Sequence, residues 1–447
     1  MTGAVIRAIL IGCVLLHAAV GAGDERAVFS SRRDALMKRI GDSAAVLQGA
    51  PETRSYTAFR QDNNFYYLTG VEAPNALLLI DGARRRSILF LEPRDREAER
   101  WEGRSLFAGP EALRDTGIDE VQEASRFGEA LDRLKGSLRV LYTPLTPEET
   151  AATSRDRALR HDTARRNDPW DGRISRRDAF EKSLRARLGD AVEIRDLSPV
   201  LDDMRRVKNA HEIELLREAG RISALGVKEA MRSAAPGIYE YQLAALAEFR
   251  SRWVGAQGPA FFPIVGSGPN SCILHYTRNR RKLEEGDIVV MDFGVDYGYY
   301  QSDITRTFPA SGRFSGEQAR VYRAVLDAQK AALSLVRPGA VFEGLRRAAE
   351  EALGRWGYAK YMAHSVGHYV GMSVHDVGES KPFEPGVVLA VEPGVYLPER
   401  NLGVRIEDTV LVTGDGCEIL TKDAPKEIED IERLMAERGV ADAVAAR

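Results

Sequence analysis

The chain of 447 residues has room for two or three domains. At 44% hydrophobic and 29% charged it has an ordinary globular composition, with no tract that would resist folding into a core. A formal net charge of −3 removes any electrostatic ground for a nucleic-acid or anionic-membrane partner.

The first element in chain order reads as a leader. Arg7 is followed by an apolar run from Ala8 to Val20 that leaves through the small residues Gly21 and Ala22. A short positive end, an apolar stretch and a small-residue exit predict an export signal over residues 1–22, and so a periplasmic or secreted protein. A retained N-terminal membrane anchor is the alternative, although the run is short for a span and His17 interrupts it. Without Cys13 the mature chain keeps only Cys272 and Cys417, and two free thiols are the commoner outcome for so distant a pair.

Residues 23–200 alternate strand-like and helix-like segments and predict a small α/β domain. Ala76–Ile80 and Ser87–Leu91 are short apolar runs with polar or glycine flanks, as buried strands are. Val121–Leu134 has helical spacing, and the Arg-rich stretch from Arg155 to Arg177 reads as a solvated loop or helix face.

From Met204 to the end the pattern changes to helix pairs broken by Pro-Gly. Val207–Ala235 and Tyr239–Trp253 predict two helices around Pro236-Gly237; Glu317–Val336 and Phe342–Trp356 predict two more around Pro338-Gly339. An offset of 102 residues lays one break on the other and also matches Leu243 with Leu345, Ala247 with Ala349 and Gly255 with Gly357. Each helix pair is followed by a hairpin-like stretch with two carboxylates. A turn centred on Tyr297-Gly298 sets Asp292 opposite Asp303, and one at Glu399-Arg400 sets Glu392 opposite Glu407. The fold class expected is α+β, with a pseudo-two-fold repeat in residues 204–447.

Four carboxylates on one concave face repel one another. A like-charge pair at about 4 Å costs roughly 1 kcal/mol in water and roughly 4 kcal/mol at an effective dielectric of 20. Divalent cations relieve this best. Three of the seven histidines, His364, His368 and His375, fall within HSVGHYVGMSVHD, whose glycines favour extended structure with close backbone approach. Carboxylates joined by histidine imply a bridged two-metal centre that lowers the pKa of a shared water toward about 7. Oxygen-rich ligation favours manganese, with cobalt or zinc as alternatives.

The segments ILHYTRN, VVMDFGVDYGYYQSDITRTFP, HSVGHYVGMSVHDVG, AVEPGVY and GVRIEDTVLVT resemble the aminopeptidase P and prolidase family, whose catalytic domain has the pita-bread fold. RQDNNFYYLTGVEAPNALLLI resembles that family's amino-terminal domain. The resemblance implies metal ligation by Asp292, Asp303, His368, Glu392 and Glu407, with Asp303 and Glu407 bridging and Glu392 also acting as general base. It implies that His275 steadies the tetrahedral intermediate, that His375 assists at the leaving nitrogen, and that His364 and Tyr396 line a proline pocket. Arg405, two residues before Glu407, is left with two roles: fixing a substrate carboxylate or carbonyl, or partnering the carboxylates. The activity implied is removal of the residue preceding an N-terminal proline, by an enzyme that is commonly a dimer or tetramer. An Xaa-Pro dipeptidase is the alternative. A binding protein on the same fold without catalysis needs no complete ligand set, whereas every ligand position is filled here.

Overall fold

The computed structural model describes residues 22–445 except 54, 379 and 380; all of the expected leader but Ala22 therefore lies outside the described residues. The chain forms two compact units, one of residues up to Glu148 together with Asp168–Val200, the other of Glu149–Asn167 together with Leu201 onward. No helix among the described residues is long and apolar enough to cross a membrane. Cys272 and Cys417 are free and half-buried.

The first unit is built on one mixed sheet of β1 (Ala44–Gln48), β2 (Leu77–Asp81), β3 (Arg86–Leu91), β4 (Glu120–Glu123), β5 (Val140–Thr143) and β6 (Glu193–Asp196). The strand order is β4-β3-β2-β1-β5-β6. Val46, Leu79, Phe90, Leu131, Leu141, Leu184 and Ile194 form its core. The segment read as one helix from Val121 divides: Glu120–Glu123 pairs in parallel with β3, and the helix covers only Phe127–Lys135. Helical spacing in the window comes from Ala130, Leu131 and Leu134, which are buried, while Val121 is claimed by the ladder.

The second unit repeats a helix pair and a set of short strands. In its first half the helices Ala210–Ser233 and Glu240–Trp253 are followed by β7 (Gly258–Pro259), β8 (Ile264–Ser267), β9 (Ile288–Phe293), β10 (Val295–Tyr297), β11 (Tyr300–Gln301) and β12 (Ile304–Pro309). In its second half the helices Gly316–Leu333 and Phe342–Arg355 precede β13 (Gly367–Tyr369), β14 (Val388–Val391), β15 (Gly394–Leu397), β16 (Leu402–Arg405), β17 (Asp408–Val412) and β18 (Cys417–Ile419). The leading helix of each half opens with a capping box, Asn209 with Glu212 and Ser315 with Gln318. Both Pro-Gly breaks place glycine at positive φ, 98° at Gly237 and 85° at Gly339. Each then donates its amide to a carbonyl about midway along its own half, Leu283 and Phe383 respectively, so the internal repeat extends to backbone hydrogen bonds.

The two carboxylate-bearing hairpins keep different registers from one another. In the second half, Val391 pairs with Asp408 and Gly394 with Arg405, so Glu392 and Glu407 stand in step between the two ladders, as their spacing predicts. In the first half, Asp292 pairs with Thr305 rather than lying opposite Asp303. The turn sits one residue later than expected, at Gly298-Tyr299, where both residues have positive φ (57° and 70°), and Tyr297 pairs with Tyr300. The slip is two residues, which preserves the alternation of faces, and the charge of Asp292 is still felt at Asp303.

Gly294 permits this crossing. A Cβ there would collide with the backbone carbonyl of Ser302, which cannot swing aside as a side-chain tip would. Gly294→Ala is expected to cost about 1–3 kcal/mol through overpacking. A lowered urea midpoint at unchanged slope checks it.

Candidate metal centre

β9 is an apolar, fully buried strand in which Asp292 is the one ionisable residue. Burying a charge in such a strand is costly unless something compensates it. Asp303 lies just before β12, and Glu407 between β16 and β17; both are buried, at 5% and 1% exposure. Glu392 follows β14, and His368 is the middle residue of β13. The ligand atoms of Asp303, His368 and Glu407 all lie within 4.8 Å of one another. His368 Nε2 stands 3.5 Å from Asp303 Oδ2 and 3.6 Å from Glu392 Oε1. The five residues expected as ligands are thus brought together from both halves.

Threonines that the sequence reading passed over join the halves at this point. Thr409 Oγ1 accepts the Asp303 amide at 2.9 Å and donates to the Asp303 carbonyl at 2.7 Å. Reciprocally, Thr305 Oγ1 donates to Glu407 Oε2 at 2.8 Å, and the Glu407 amide donates to the Thr305 carbonyl at 3.1 Å. Each threonine follows its own half's acid by two residues and grips the other half's acid. Arg306 was missed as well. Fully buried, it donates to the carbonyls of Thr305, Glu407, Ala424 and Pro425 and to Asp408 Oδ1 at 2.7 Å. The signal available was the recurrence of acid-x-Thr in DIT and EDT, which parity puts on one face.

The electrostatics suit a cation. Burial, then Glu407, Asp292 and Glu392, push the Asp303 carboxyl well above the usual range. Burial, then Glu392 and Asp292, do the same to Glu407. Burial lifts Glu392 to about 8 although Arg405 opposes it. Asp292 Oδ1 and Asp303 Oδ1 are buried without a hydrogen-bond partner. Unsatisfied buried oxygens amid mutually repelling carboxylates are the donor set of a hard divalent cation, and the residues fit one.

The histidines are held neutral, as ligands and hydrogen-bond relays need to be. Burial brings His364, His368 and His375 down to about 4 and lowers His275 as well. His368 Nδ1 lies 3.0 Å from the Tyr369 carbonyl, so the proton sits there and Nε2 offers its lone pair to the cluster. His364 donates from Nδ1 to the Ser365 carbonyl at 2.8 Å and accepts the Tyr396 hydroxyl at Nε2, also at 2.8 Å. His375 packs against His368 with ring centroids 4.2 Å apart; His375 and His275 are exposed at the rim.

Of the two roles open to Arg405, the geometry favours the partner of the carboxylates. Its Nη2 donates to Asp292 Oδ2 at 2.8 Å, its Nη1 to the Tyr396 hydroxyl at 3.0 Å and its Nε to Thr305 Oγ1 at 3.1 Å. It is 3% exposed. Every nitrogen is engaged.

Residues 214–414 match metallopeptidase family M24, and residues 29–142 match the aminopeptidase P N-terminal domain. The Xaa-Pro aminopeptidase of Escherichia coli (strain K12) is 35% identical over 92% of this chain and 98% of its own length. Among solved structures, proline aminopeptidase P II from Yersinia pestis is 35% identical with a TM-score of 0.76, over 92% of this chain and 99% of that one. Zinc-substituted E. coli aminopeptidase P in complex with product is 33% identical with a TM-score of 0.77, over 94% and 99%. The pita-bread architecture implied by the resemblance is therefore the architecture found, and the chain belongs to metallopeptidase family M24, joined here to the aminopeptidase P N-terminal domain.

Proposed function

We propose that this hydrolase is an Xaa-Pro aminopeptidase that releases the residue preceding an N-terminal proline, using a pair of divalent cations. The observation that carries the reading is the cluster of His368 with the mutually repelling carboxylates Asp292, Asp303, Glu392 and Glu407, largely buried and holding two unpartnered carboxylate oxygens. Relatives bearing that activity in their names match nearly the whole chain, including the N-terminal domain, which favours the aminopeptidase over the dipeptidase alternative.

Asp292, Asp303, His368, Glu392 and Glu407 would hold the cations, which supply Lewis acidity to a water and to the scissile carbonyl; manganese suits the oxygen-rich set best. Glu392, the half-buried carboxylate of the group, would accept a proton from that water and pass it on. Exposed His275 donates a hydrogen bond to the oxyanion as it develops, and His375 holds the leaving proline nitrogen and carries its proton. The Arg405–Tyr396–His364 chain runs donor to acceptor in one direction, which fixes His364 against the proline ring without giving it charge. Arg405 also neutralises part of the charge on Asp292.

The test is hydrolysis of Ala-Pro-Ala against Ala-Pro by chelated protein reloaded in turn with manganese, cobalt and zinc. Two metals per chain and a clear preference for the tripeptide are expected, with a raised Tm; cation at a hundredfold excess over its Kd adds about 2.7 kcal/mol of stability. Preference for the dipeptide would instead establish the alternative, and indifference to chelation would remove the metal reading. We infer in addition that residues 1–22 direct export, which predicts a mature protein whose N-terminal sequencing begins at residue 23.

A further inference from the structure

A peptidase that acts on free peptides must also meet the charged far end of a short substrate, and Arg405 is not available for it. The helix Arg155–Asn167 supplies another cation. It folds with the catalytic unit although the flanking chain on both sides belongs to the other unit. Its first residue is clamped: Arg155 Nε donates to Glu149 Oε1 at 2.6 Å, and its two Nη atoms grip Asp202 at 2.6 and 2.9 Å. Glu149 in turn accepts both Nη atoms of fully buried Arg205 at 3.2 Å, and Arg205 reaches Asp376 Oδ1 at 2.6 Å. Asp376 is the neighbour of His375. An unbroken run of ion pairs therefore fixes the start of this helix to the loop that carries His375.

Arg157, two residues into the helix, has an exposed side chain and is without a hydrogen bond or ion pair among the described residues. Its charge is felt at both His275 and His375. His375 is the rim histidine at the leaving nitrogen, beyond which the residue after proline must lie, and His275 is the one at the oxyanion. An unpaired guanidinium on a helix anchored there attracts a carboxylate.

Resting on the aminopeptidase reading, we propose that Arg157 is a specificity residue which binds the C-terminal carboxylate of the residue after proline, so that the enzyme favours free tripeptides. Longer peptides carry an uncharged amide at that point and gain nothing from it. The same chemistry offered by an acidic side chain is the competing source of a carboxylate.

The experiment compares kcat/KM for Ala-Pro-Ala, its C-terminal amide and Ala-Pro-Asp amide in the metal-loaded protein, in Arg157→Gln and in Arg157→Lys. Wild type is expected to prefer the free acid over the alanine amide by about fivefold, a normal value for one exposed ion pair, and the preference shrinks in high salt. Arg157→Gln brings the ratio close to one, chiefly through KM; Arg157→Lys restores most of it. Calorimetry on the product Pro-Ala against its amide reads the same preference without turnover. A ratio equal in wild type and Arg157→Gln, or an Ala-Pro-Asp amide as good as the free acid, overturns the proposal while leaving the aminopeptidase reading intact. Failure to cleave any of the three peptides removes that reading and this one with it.

Discussion

Asp303→Asn is expected to lower kcat/KM on a proline tripeptide by about a thousandfold or more, equivalent to at least about 4 kcal/mol of transition-state stabilisation. The side chain keeps its shape, so nothing is lost but a charge and an acceptor oxygen. Bound metal per chain should fall together with rate. A second measurement separates this from misfolding. Without cations, Asp303 is forced well above its normal range by burial and by Glu407, Asp292 and Glu392, so the neutral amide relieves repulsion. The variant should therefore be more stable than wild type when both are metal-free, and less stabilised than wild type when cations are added. A variant that is inactive and also less stable in chelator would refute this account of the cluster. Strain of this kind, kept for the sake of ligation, is how active sites commonly trade stability for function.

Asp408→Asn is expected to destabilise the second unit by about 3–5 kcal/mol, the usual consequence of stranding one partner of a buried ion pair. Asp408 and Arg306 are both fully buried and paired at 2.7 Å, and Asp408 also accepts from Lys426 at 2.6 Å, Thr421 at 2.8 Å and Gln329 at 2.9 Å. Burial alone would raise its pKa, but Arg306 and Lys426 override that and hold it at about 2, below the ordinary 3.8. Because the folded value is the lower one, the stabilisation is present in full above the ordinary value and is lost as pH falls toward about 2. Urea midpoints across that acid range should converge for wild type and variant. A variant within about 0.5 kcal/mol of wild type at neutral pH would show the pair to be dispensable.

Periodicity carried the helices well. Ala210–Ser233, Glu240–Trp253, Gly316–Leu333 and Phe342–Arg355 lie within two or three residues of where apolar spacing and Pro-Gly breaks put them. The carboxylates were legible because an acid in an apolar strand is expensive, and the histidine segment because its glycines spoke against a helix. The first hairpin was misread because its turn puts Tyr299 at positive φ, a conformation a tyrosine rarely adopts and a sequence does not advertise. Long-range grips were out of reach for a different reason. Nothing local to Thr305, Thr409 or Arg306 says that their partners lie about a hundred residues away. The Arg-rich stretch from Arg155 to Arg177 reads as a solvated loop or helix face; no residue of the helix Arg155–Asn167 is buried, but Arg177 is, at 4% exposure. The clamp on Arg155 depends on Asp202, 47 residues on, and no periodicity reports it.

The exchange of threonine contacts between Asp303 and Glu407 means that neither hairpin has a finished edge of its own. Cut apart between Leu333 and Phe342, each fragment would expose a strand end whose natural mate sits on the other piece. The two should consequently melt as one cooperative block, and a cation bound at their seam tightens that whole block instead of a single loop.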